Sequence, residues 1–147
     1  MHLIKALVLA KHAQHVVLIH FPIAALIVGV VFDFWGQWSK QRLFTVAAYY
    51  NLFVAALTTV PAWMTGVLAW QWALEGQRLK GLLLLHLVFA CLSSVLIWTV
   101  WLVHRRAQRK QGASLPRYRL PIEALAVAMV AVTGHLGGFL SGVNRPG

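Results

Sequence analysis

Acidic residues are almost missing from this chain: Asp33, Glu75 and Glu123 are the only 3 among 147 positions. General acid–base catalysis has little to work with here, and nothing resembles a hydrolytic or nucleophilic constellation. Cysteine is nearly as scarce. The single Cys91 lies inside an apolar run, which excludes a disulfide framework or a cysteine-pair metal site and leaves it the role of a small packing residue. Long polar stretches are lacking too. The segment from His104 to Arg119 is the one polar loop of any length, so no soluble domain is expected.

What is there is apolar. With 60% hydrophobic and 11% charged residues, the composition lies outside that of a soluble domain and points to a lipid-embedded chain. Four runs reach the roughly 20 apolar residues needed to cross hydrocarbon: about His15 to Trp35, Thr45 to Trp72, Gly81 to Val103 and Leu120 to Leu140. Short gaps favour neighbours of alternating direction. The fold class expected is all-α, a single transmembrane domain over 1–147 built as an up-and-down four-helix bundle. Met1 to Ala10, whose apolar core is short for a signal peptide, reads as an interfacial lead-in helix.

The formal charge of +10 raises the question of nucleic acid, but the basic residues sit in the gaps rather than along a helix face. Topology explains them better. Lys40, Arg42, Arg105, Arg106, Arg109, Lys110, Arg117 and Arg119 belong to the side of the first and third connections, and Lys5, Lys11, Arg78, Lys80 and Arg145 to the other. The imbalance predicts that both termini lie outside the cytoplasm. Trp35, Trp38, Trp70 and Trp72 fall near segment ends as belt anchors. Pro22 and Pro61 predict kinks, with Thr58 and Thr59 placed to satisfy backbone groups freed near Pro61.

Ionisable groups inside membrane helices carry the functional signal, because hydrocarbon offers them no partner. His20 and His86 fall near the starts of the first and third helices and His135 near the end of the fourth. In an up-and-down bundle these positions share one side and one depth. Lone membrane histidines commonly serve as interhelical hydrogen-bond partners, but three at matched depth point to a ligand. His15 is expected nearer the interface, beside His12, while His2, His12 and His104 are read as interfacial or loop residues. A b-type haem needs two imidazoles across a bundle, small residues where the macrocycle presses and an apolar pocket. Gly134, Gly137 and Gly138 flank His135, and Ala62, Gly66 and Ala69 line one face of the second helix. A three-histidine zinc or copper site is the rival, disfavoured because the acidic outer shell usual for zinc histidines is missing.

Several blocks resemble a known family. His20-Phe21-Pro22-Ile23-Ala24, preceded by His15 and followed by Phe32-Asp33, is similar to the opening of the bacterial four-helix membrane family called domain of unknown function 2231. Pro61 with Thr65-Gly66, His86, and Thr133-Gly134-His135-Leu136-Gly137-Gly138 resemble its later blocks. The resemblance implies a compact helical membrane protein, often found near respiratory or cytochrome genes, with no settled activity. Ala69 and Phe139 stand where that pattern leads one to expect an aspartate and a glutamate, which argues against a proton relay there.

The function expected is a b-type cytochrome subunit that carries electrons between the quinone pool and a periplasmic-side redox protein or cytochrome c, the haem doing the chemistry. Diagonal helices in a square bundle stand roughly 11–14 Å apart, and two histidines sharing an iron need backbones separated by roughly 12 Å. Helices one and three are diagonal, so His20 and His86 are the expected axial pair. His135 then lies beside the ring as an alternative ligand, with His15, Gly134, Gly137 and Arg78 in the haem environment. The contrasting reading is a cofactor-free structural or assembly subunit of a larger respiratory complex, and a transporter is disfavoured by the lack of a charged pathway.

Overall fold

The structure, a computed structural model, describes residues 13–109 and 115–142. The lead-in helix, His2, His12, Lys110 and Arg145 lie outside the described residues. Four helices follow one another: α1 (Ala13–Ser39), α2 (Arg42–Ala73), α3 (Gly81–Arg109) and α4 (Arg119–Leu140). Each is long and apolar enough to cross a membrane. All four outrun the spans expected from apolarity alone, because a helix continues past the hydrocarbon edge for as long as its polar residues favour helix. The largest correction is at α3, which runs to Arg109 and carries His104 inside the helix rather than in a loop.

The connections explain the order of packing. Lys40 and Gln41 alone join α1 to α2, with Lys40 at φ +56° turning the chain back. So short a link makes α1 and α2 the most extensive pair, α3 and α4 form a second, and α2 against α3 joins them. The α1–α4 contact is slight, so α1 and α3 lie across the diagonal. Gly29 and Gly36 admit the close approach of α1 to α2: a Cβ on Gly29 would stand 2.9 Å from the Leu52 side chain, and one on Gly36 would stand 3.0 Å from Thr45. Leu26, Leu52, Ala55, Ala56, Ile97, Val100, Trp101, Ala126 and Val130 form the core, drawn from every helix. Outward positions are large and apolar, as lipid requires: Phe34, Leu57, Val95 and Leu125 are among them.

Polar side chains tie the bundle across helices. Trp63 Nε1 donates to Ser94 Oγ at 2.8 Å, Trp98 Nε1 to Thr59 Oγ1 at 3.1 Å, and the Ser93 and Thr133 hydroxyls meet at 2.9 Å. The helices pass through Pro22 and Pro61 without interruption. Thr58 and Thr59 do not serve Pro61 as expected. Thr58 donates to the carbonyls of Val54 and Ala55 and Thr59 to that of Ala56, all upstream of Leu57, whose carbonyl the proline deprives of its donor. Cys91 is exposed on the outer surface, so it is not a packing residue within the chain.

Candidate functional site

Polar side chains gather at both ends of the bundle. His15 and Asp33 are 18 residues apart on α1, as are His86 and His104 on α3, or roughly 27 Å at 1.5 Å per residue. That approaches the hydrocarbon thickness of about 30 Å. Each cluster therefore sits near one edge of the apolar layer.

At the first end, His15 of α1 and His86 of α3 turn into the bundle. The Thr65 hydroxyl gives its one hydrogen to the Pro61 carbonyl at 2.9 Å. Its oxygen can then only accept from His15 Nδ1, which lies 3.2 Å away. His86 Nδ1 lies 3.2 Å from the Thr133 carbonyl, an acceptor, and so also carries the hydrogen. Both rings thereby keep the lone pair on Nε2, the arrangement in which imidazole binds a metal. The two rings are close enough to interact electrostatically. Each also abuts a glycine of the next helix: a Cβ on Gly66 would stand 3.0 Å from His15 Cε1, and one on Gly137 would stand 3.2 Å from His86 Cε1.

The other residues expected here divide. His20 is exposed, its Nδ1 donating to the Val16 carbonyl of its own helix at 2.6 Å, so it does not face His86. His15, expected at the interface, takes the inward place instead. His135 is exposed with its ring edge-on to Phe139 at 4.9 Å. A Cβ on Gly134 would meet nothing within 4 Å. Arg78 is exposed in the turn between α2 and α3.

At the second end lies a cluster absent from the histidine pattern. Arg119 of α4 donates from Nε to Asp33 Oδ2 of α1 at 2.7 Å and from Nη2 to Gln37 Oε1 at 2.7 Å. Its Nη1 reaches the Leu115 and Pro116 carbonyls at 3.4 and 3.3 Å. His104 Nε2 of α3 meets Glu123 Oε1 of α4 at 2.8 Å. Asp33, His104 and Glu123 are each 1% exposed and Arg119 4%. Asp33 Oδ1 and Glu123 Oε2 are buried without a hydrogen-bond partner. So the chain does pair a histidine with a carboxylate, but on a histidine that sequence reading put in a loop. The signal was present: Asp33, Glu123 and Arg119 are charges in or at the ends of apolar spans, and up-and-down topology puts the end of α1, the end of α3 and the start of α4 on one side.

A family model described as "Predicted membrane protein (DUF2231)" matches residues 11–145. Comparison with curated proteins and with solved structures gives no match.

Proposed function

We propose that this chain, which belongs to the DUF2231 family of membrane proteins, is a b-type cytochrome subunit with His15 and His86 as the axial ligands of one haem. The observation that carries the reading is the pair of inward imidazoles on diagonal helices, each with Nδ1 within hydrogen-bond reach of another helix. A diagonal spacing of roughly 11–14 Å matches the roughly 12 Å between backbones that share an iron. Gly66 and Gly137 admit the two rings, since a Cβ there would stand 3.0 and 3.2 Å from their Cε1 atoms. Haem supplies the one-electron chemistry, and the protein supplies ligands, orientation and an apolar surround. Electrons pass between the quinone pool and a redox protein on the periplasmic side of the inner membrane, the side to which the positive-inside rule assigns this end.

Purified protein from haem-replete cells should show a Soret band and, on reduction, a sharp b-type alpha band. His15→Ala and His86→Ala each lose the spectrum, while His20→Ala and His135→Ala keep it. A colourless preparation with stoichiometric zinc or copper overturns the haem. Loss of the spectrum in His20→Ala but not in His15→Ala returns the axial role to His20. The exposure of His20 towards lipid favours one further reading, in which that face docks on another subunit of a larger membrane complex.

A further inference from the structure

Two carboxyl oxygens left without a partner inside a membrane bundle require a cause, since a buried polar atom with no hydrogen bond is costly. Asp33 Oδ1 and Glu123 Oε2 are such a pair, on α1 and α4 respectively. A single ligand atom from each of Asp33, His104 and Glu123 can be chosen so that all three lie within 4.8 Å of one another. We propose that Asp33, His104 and Glu123 bind one first-row divalent cation, of the zinc, manganese or ferrous-iron class, at the end of the bundle remote from His15 and His86.

The donor set selects that class. One imidazole and two carboxylates, with no sulfur, suit metals that accept mixed nitrogen and oxygen ligands and disfavour cuprous copper. Bonds of about 2.0–2.2 Å let one ion span ligand atoms roughly 3–4 Å apart, so modest closure of the three side chains suffices. A proton shared between His104 and Glu123 leaves Asp33 Oδ1 without a partner, whereas a dication serves both carboxylates. Arg119 acts as the outer support: by holding Oδ2 of Asp33 it fixes the carboxylate and turns Oδ1 to the ion, as hydrogen-bonded metal carboxylates are commonly held. The hydrogen held between His104 Nε2 and Glu123 Oε1, 2.8 Å apart, leaves both atoms when an ion binds them, passing to Nδ1 or to solvent. Three ligands from three helices leave a fourth position for water. The ion also ties α1 to α4, the neighbouring pair that packs least.

The test uses full-length protein in detergent micelles, stripped with a chelator and titrated separately with zinc, manganese and ferrous iron by calorimetry in buffers of different ionisation enthalpy. At least one of the three should bind stoichiometrically. Glu123→Gln and Asp33→Asn should each weaken binding at least about 100-fold, beyond the 10- to 100-fold typical of losing an outer-shell partner, while Glu75→Gln in the exposed turn leaves it unchanged. Because a variant of the buried cluster can fail to fold, cobalt substitution of the unaltered protein gives a second readout: X-ray absorption should show a single imidazole with oxygen ligands. Absence of binding by all three ions overturns the proposal. So does a cobalt site with two or more imidazoles, or ion binding that survives Glu123→Gln and is lost in His86→Ala. None of these outcomes depends on whether the protein carries haem.

Discussion

A guanidinium near the edge of hydrocarbon is tolerable only when its donors are occupied, and Arg119 occupies them with Asp33, Gln37 and two carbonyls of the preceding turn. Removing one partner of such a pair leaves the other charge buried. Arg119→Ala should therefore destabilise the bundle by about 3–5 kcal/mol, whereas Asp33→Asn with Arg119→Met together should cost less than the single change. Unfolding in mixed micelles measures both, and a single-variant loss below about 1 kcal/mol would contradict the account. The glycines beside the histidines give a sharper contrast. Gly66→Val and Gly137→Val put methyl groups where the His15 and His86 rings lie and should displace them, with loss of the reduced alpha band. Gly134→Val, facing open space, should leave that band intact. If all three behave alike, contact with the rings is not what these glycines provide.

At the scale of elements, the two-residue turn after α1 decides how α1 and α2 pair. Lys40 holds a left-handed conformation at φ +56°, which costs an L-residue roughly 1–2 kcal/mol relative to glycine. Lys40→Gly should accordingly stabilise the protein by about 1 kcal/mol, read as a higher unfolding midpoint in detergent. A lower midpoint would mean that the turn is set by the lysine side chain. Gly29→Leu tests the same pairing from the middle of the helices, where its side chain would meet Leu52. Forcing that overlap should cost about 1–3 kcal/mol. The helix lengths teach a related lesson. Apolarity marks where hydrocarbon begins and ends, but α3 continues through Arg105, Arg106 and Arg109, residues that favour helix as readily as they favour water.

For the whole molecule, the basic segment between α3 and α4 sets the expected orientation. A periplasm-dependent reporter enzyme fused after Gly147 should be active, and a well-expressed but inactive fusion would reverse the assignment. With that orientation, the histidine end faces the periplasm and the Asp33–Arg119 end faces the cytoplasm, so the two sites lie near opposite surfaces.

Four apolar spans, their alternating direction and the family resemblance were legible in the sequence, because lipid forces every long apolar run into a helix and short gaps force neighbours to reverse. That a histidine-rich end existed was legible too. Which histidines face inward was not: His15 and His20 differ by five residues on one helix, and only the packing of α1 against α2, set by Gly29, Gly36 and the turn at Lys40, fixes the rotation that brings His15 to Thr65 and leaves His20 outside. The ionic cluster escaped for a similar reason. Asp33, His104, Arg119 and Glu123 stand far apart in the chain, and the continuation of α3 past its apolar run carries His104 to Glu123. The sequence by itself determined the helices, since apolarity and helix length are local quantities. The tertiary structure alone decided the partners, since the rotation of one helix against another depends on side chains from both.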